Sequence, residues 1–327
     1  MYLGFGAALA AVGPADEYIL DFADVSFASP GWMISIGDAL RKFRRDRGGG
    51  KRTAVNYKGR ACLEYAAHAG FFRSFGMPFG QLPGAVASTD SYIPVTTATV
   101  DEITSRAIDE DSHHGDVIQA DAERMVSVLT QAASGQVFET LSYAIREIVR
   151  NVVEHSQSKN YSFAAQFWPA TGVAEIVVSD EGVGINRSLK ANPRNEVADD
   201  DAALRLAIRP GTSSRDTRRR RANDVWANSG YGLYMVRKLC GMGGNFALSS
   251  GTRALVSSET VDEMIATDRD GTTVVARLAT RRIGDLDRQL AVFRGLAHGQ
   301  RSAAKPSGAS LSSRVATVTG AGDGGAE

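Results

Sequence analysis

Cysteine is almost absent from this chain. Of 327 residues only Cys62 and Cys240 are cysteine, far apart, without CxxC spacing and without a cluster of histidines beside them. That argues against a disulfide framework and a structural zinc site, and it fits a reducing compartment. Charge of one sign is also missing, since 37 Lys and Arg balance 37 Asp and Glu. A protein that coats nucleic acid or an anionic membrane needs a surplus of positive charge, so neither partner is expected. No apolar run is long enough to span a bilayer. Residues 1–12 are apolar, yet they lack a basic stretch and meet Gly13-Pro14 almost at once. A strand or a misplaced start fits them better than a secretory signal. The expected location is the cytoplasm.

What remains is an ordinary globular composition, 43% hydrophobic and 23% charged, in a chain long enough for two domains. Residues 18–22 and 53–57 read as strands and 32–43 and 60–75 as helices, with 92–95 extended after a stretch broken by Pro78, Gly80, Pro83 and Gly84. Strands alternating with helices make an α/β layer, so 1–100 is expected to be a small α/β domain, followed by a linker over 101–115. A second domain follows over 116–282. Helices are expected at 116–131, 137–155 and 231–240, and strands at 163–167, 174–179, 246–250, 254–258 and 273–278. Residues 192–229 are polar, rich in Arg and long for a connection inside a compact domain, which marks them as functional or mobile. Residues 283–300 read as a C-terminal helix or extension. Residues 301–327 are mostly Ser, Ala, Gly and Thr, the composition of a disordered tail.

Chemistry concentrates in the second domain. Ile145, Ile148, Val149 and Val152 form one apolar helical stripe. Glu147, Asn151 and Glu154 lie on the other side, with His155 flanking them. Alone, such a face is as readily a solvated helix surface, but Asn gains little there and offers a neutral hard oxygen for Mg²⁺. Glu147, one turn earlier, is placed to take a proton from a hydroxyl or water approaching a phosphate. A strand over 174–179 then runs into Asp180-Glu181-Gly182-Val183-Gly184. A carboxylate at a strand end with alternating glycines lets a flat ligand approach the backbone, and Asp180 can accept from an exocyclic amine. The spacing is not that of the dinucleotide fingerprint. Ser229-Gly230-Tyr231-Gly232-Leu233 opens a helix, where free N–H groups suit phosphates. Gly271-Thr272 precedes the last strand, and its hydroxyl can complete a base pocket.

In order and spacing, Glu147-xxx-Asn151-xxx-His155, Asp180-x-Gly182-x-Gly184, Gly230-x-Gly232-Leu233 and Gly271-Thr272 resemble the N, G1, G2 and G3 boxes of the GHKL ATPases. This superfamily takes in gyrases, ninety-kilodalton chaperones, histidine kinases, mismatch-repair ATPases and anti-sigma-factor kinases. The resemblance implies a two-layer α/β sandwich, with ATP held between the helical layer of a mixed sheet and a mobile lid. Asn151 would bind Mg²⁺, Asp180 would read the adenine amine, and Gly182 and Gly184 would line the base. Gly230, Gly232 and Leu233 would close over the phosphates, and Gly271 and Thr272 would sit near the adenine. Residues 192–229 would be the lid, with Arg215 and Arg218 to Arg221 as phosphate-facing candidates. EIVRNVVEH, closed by His155, is most similar to the anti-sigma serine kinases. Too little chain follows the last box for a gyrase-type transducer, and no phosphoacceptor histidine pattern is present. Residues 18–40 are similar to the strand–turn–helix of STAS domains, with Pro30 near the usual phosphorylated serine and Ser29 beside it.

These resemblances imply a regulatory protein that binds ATP and Mg²⁺ and transfers the γ-phosphate to a serine or threonine hydroxyl of a protein partner, a STAS-type antagonist or sigma-like regulator. Glu147 would be its catalytic base. A slow ATPase whose lid closure drives homodimerisation, and a non-enzymatic switch gated by ATP, are the alternatives.

Overall fold

The computed structural model describes residues 2–212, 232–280 and 282. A 3₁₀ turn over Tyr2–Gly4 leads into α1 (Phe5–Ala10), β1 (Glu17–Asp21), α2 (Pro30–Asp46), β2 (Lys51–Val55), α3 (Ala61–His68), α4 (Phe71–Ser74) and β3 (Tyr92–Thr99). Then come α5 (Val100–Asp109), α6 (His114–Thr130), α7 (Gln136–His155), β4 (Asn160–Trp168), β5 (Val173–Asp180), α8 (Gly184–Lys190) and α9 (Asp200–Ala207). The last elements are α10 (Gly232–Cys240), β6 (Asn245–Ser257) and β7 (Asp262–Ala279). The expected extension over 283–300 and tail over 301–327 lie outside the described residues.

Five strands make one sheet in the order β3-β4-β5-β7-β6. Every pairing in it is antiparallel, so the mixed sheet implied by the sequence is purely antiparallel here. On one face lie α5 to α10, packed through Met125, Leu129, Ile145, Val149 and Val236 onto Ile176, Val178, Phe246 and Val274. On the other face, Met33, Ile36 and Leu40 of α2, Leu63 of α3 and Phe71 and Phe72 of α4 cover Ala164, Val177, Ala247 and Val275. β5 is buried along nearly its whole length, because both faces of the sheet are covered. The α/β architecture is as expected, with an additional layer behind the sheet.

The N-terminal residues are that layer. β1 and β2 pair in parallel across α2, a βαβ unit, and α2 lies on the sheet of the following segment. β3, assigned by sequence to the first domain, is an edge strand of the large sheet, paired with β4 from Tyr92↔Gln166 to Thr99↔Asn160. Its Pro94 is tolerated there because an edge strand can spare a donor. Residues 2–10, expected as a strand or a misplaced start, are helical, with Leu3 buried against the back layer. Most of the expected linker is α5, where Thr99 and Glu102 cap each other reciprocally. The helix expected over 60–75 divides into α3 and α4, and the strands expected at 246–250 and 254–258 join into β6. Both cysteines are free. Among the described residues no helix is long and apolar enough to cross a membrane.

Candidate functional site

The site opens where the helical layer parts from the sheet. A cleft there, its mouth open to solvent, is lined by Asn151, Asp180, Gly184, Gly232, Leu233 and Thr272. Ile148, Val178, Ile185 and Val274 supply its apolar wall, and Asn151, Asp180 and Thr272 its polar groups. Helix α7 brings Asn151 to the cavity because its apolar stripe, Leu141, Ile145, Ile148, Val149 and Val152, is buried in the core. β5 brings Asp180 because the strand ends there, opposite Thr272 of β7.

The glycines expected beside the ligand have a steric reason to be glycine. A Cβ on Gly182 would stand 2.0 Å from the Ser156 carbonyl oxygen, and one on Gly271 would stand 2.1 Å from that of Asp180. Gly271 also has φ +68°, a region that side chains disfavour. The loop after β5 is thereby laced to the end of α7, where the Val183 N–H donates to the Ser156 carbonyl at 2.7 Å.

Asp180 is 5% exposed. Burial pushes its carboxyl up to about 6, helped by the Asp38 carboxylate behind it. The Gly182 N–H, which donates to Oδ1 at 2.8 Å, and the Arg269 guanidinium hold it back from rising further. A desolvated carboxylate at a cavity wall gains from any ligand that donates to it.

Glu147 has a different setting. It is 2% exposed and is not among the residues that line the cavity. Arg146 Nη2 lies 3.3 Å and Arg150 Nη1 3.7 Å from its Oε1. Its Oε1 therefore faces two guanidinium groups within the helical layer. The His155 side chain, Gly230 and the arginines at 215 and 218–221 lie outside the described residues.

Asn151 is one of the cavity-lining oxygen donors suited to a hard cation, and no group of three or more His, Cys, Asp or Glu able to hold a metal occurs among the described residues. That donor set fits Mg²⁺ shared with a ligand's phosphates, since Mg²⁺ keeps waters and takes few protein ligands.

Residues 137–282 match the family model of the histidine kinase-, DNA gyrase B-, and HSP90-like ATPases. The segment carries an ATPase domain of that family. No curated protein matches the chain. The matched ATPase segment contains every residue singled out for nucleotide contact, but α5, α6 and the layer behind the sheet precede it.

Several residues of the site gave no sequence signal. Ser250 accepts from the Ile185 N–H at 2.9 Å and donates to the Gly271 carbonyl at 2.8 Å, joining the loop after β5 to the turn before Thr272. Asp38, Ser179 and Arg269 form a buried group behind Asp180. Ser179 and Arg269 flank the Asp180 and Gly271-Thr272 motifs, but neither is part of one, and only the fold brings them to Asp38.

Proposed function

We propose that this chain is an ATP- and Mg²⁺-binding regulatory protein that phosphorylates a serine or threonine hydroxyl on a protein partner. The observation that carries nucleotide binding is the convergence of Asn151, Asp180, Gly184, Gly232, Leu233 and Thr272 on one cavity from separate segments. Asp180 accepts the adenine amine, and the start of α10 offers its N–H groups to the phosphates. Asn151 would hold Mg²⁺, which would offset charge on the phosphates. Glu147, once released from Arg146 and Arg150, takes the proton of the partner's hydroxyl as its oxygen attacks the γ-phosphorus and ADP leaves. The partner reading rests on the anti-sigma-like E-N-H helix and the STAS-like N-terminal residues. The parallel β1–α2–β2 unit supports the STAS comparison, although no family match covers those residues.

The ion pairing of Glu147 favours a second reading, in which ATP gates a protein interaction without chemistry. Incubation with γ-labelled ATP and candidate STAS-type acceptors separates the two. Label transfer should fall by roughly a hundredfold or more in Glu147→Ala, with ATP affinity within about twofold of wild type. No transfer from a wild type that binds ATP would leave the switch. Steady phosphate release without acceptor would instead indicate an ATPase.

A further inference from the structure

Helix α2 contacts β5 at two places. Near its start, the Gly31 N–H donates to Glu175 Oε1 at 2.8 Å. Two turns on, Asp38 is 6% exposed and receives the Ser179 hydroxyl at 2.5 Å and Arg269 Nη2 at 3.1 Å. Arg269 also donates to Ser179 Oγ at 2.9 Å and to the main-chain carbonyl of Asp180 at 3.3 Å. Arg41, paired with Asp38, reaches Glu181 at 2.9 Å, and Arg45 spans Glu181 at 3.2 Å and Asp270 at 2.6 Å. Asp180 therefore stands in front of charged side chains from α2 and from β7 just before Thr272. We propose that Asp38 and Arg269 are positioning residues that fix the Asp180 carboxylate for nucleotide recognition and tie α2 to the base end of the cavity.

The proposal rests on the nucleotide reading of the cavity and adds residues from the N-terminal layer, which precedes the matched ATPase segment. Geometry sets its direction. Asp38 holds Arg269 against the Asp180 carbonyl, and a guanidinium fixed there orders the end of β5. The two residues act on Asp180 with opposite charge, Asp38 disfavouring the ionised form and Arg269 favouring it. The other charged groups around this end of β5 are Arg41 and Arg45 of α2, Glu181 after β5 and Asp270 of β7. Tyr161 of β4 lies opposite Asp180 in register, and burial keeps its phenol neutral across the working range. The residues that line the cavity from α7, α8, α9 and α10 are uncharged. Removing Asp38 and removing Arg269 should therefore shift the acid limb of nucleotide binding in opposite directions. A generally loosened fold would not do that.

The test uses the full chain and calorimetric titration with Mg·ATP between pH 4.5 and 8, alongside thermal melting. Protonation of the ligand's phosphates is common to all proteins compared and cancels in variant-to-wild-type ratios. Asp38→Asn is expected to move the acid midpoint down and Arg269→Gln to move it up. Each should lose about fivefold to tenfold in affinity at pH 7.5. Ser179→Ala removes one hydroxyl and should lower affinity with little change in melting. It keeps the proposal testable if either charged variant fails to fold. Affinities and midpoints unchanged from wild type would overturn the proposal, as would midpoints that move in the same direction. A wild type that binds no ATP at any pH would overturn the nucleotide reading instead, and a wild type that binds while the variants match it would overturn this inference alone.

Discussion

On the helical face of the sheet β5 presents Ala174, Ile176, Val178 and then Asp180; on the opposite face it presents Glu175, Val177 and Ser179. The first series is apolar until its last residue, which enters a cavity as a buried carboxylate pushed up to about 6. The second is polar at both ends, and each polar group there meets a partner from α2. One strand thus has a face left open for a ligand and a face closed by the protein itself. The contrast locates recognition on the front and its mechanical support on the back. It also explains why β5 shows no polar–apolar alternation: neither side is solvent.

The sharpest way to break this contrast is to ask whether the back layer is part of the same folding unit. Phe72 is fully buried and meets the rings of Phe22, Tyr57, Phe71, Phe75 and Phe79. Phe72→Ala should cost about 3–5 kcal/mol. Because α2 and the sheet share a core, melting should remain a single transition, and the Mg·ATP-induced rise in melting temperature should persist. Two separate transitions, with the ATP response confined to the later one, would show that the N-terminal layer folds independently.

Asp180→Asn tests the open face. The substitution keeps the shape and removes the charge, and it should weaken ATP binding by about thirtyfold to a hundredfold. Stability should move the other way. A carboxyl whose folded value is raised from its ordinary 3.8 to about 6 favours the folded state only while protonated. Its contribution is complete below about pH 3.8 and is lost as pH rises through about 6. At pH 7.5 the ligand-free Asp180→Asn protein should accordingly melt higher than wild type, by the equivalent of about 1–3 kcal/mol, and the gap should close below pH 4. Loss of binding accompanied by loss of stability at neutral pH would mean that Asp180 is a structural residue.

The sequence made the open face readable and the closed face nearly invisible. Asn151 was singled out because helical spacing is a local rule, and Asp180 and Thr272 because each stands beside a glycine in a short motif; the same helical rule singled out Glu147, which does not line the cavity. The residues behind Asp180 obey no local rule: Asp38 and Ser179 are 141 positions apart, and Arg269 is 231 from Asp38. The sequence marked residues 92–95 as extended but could not say which sheet they join, since Thr97 meets Ser162 across 65 residues. Residues 2–10 carry three alanines and two leucines, a helical signal diluted by Gly4 and Gly6, and packing holds the segment in place: a Cβ on Gly6 would meet the Asp268 carbonyl at 2.7 Å. Glu147 was legible as a residue type, but its pairing with Arg146 and Arg150 was not, because neighbours on a helix do not announce which way their side chains turn.

The smallest effect tests whether the two faces can be perturbed separately. Ser250 lies on the cavity side and bridges the Ile185 N–H and the Gly271 carbonyl without touching the charged group behind Asp180. Ser250→Ala leaves the Ile185 N–H without that acceptor and should cost about 1–2 kcal/mol of stability. The loop after β5 and the turn before Thr272 would lose their link, so ATP affinity should fall about threefold. The acid midpoint of binding should stay where it is in wild type, because no charge near Asp180 has changed. A midpoint that moves would mean that the front loop also sets the ionisation of Asp180, and that the support does not belong to the back face alone.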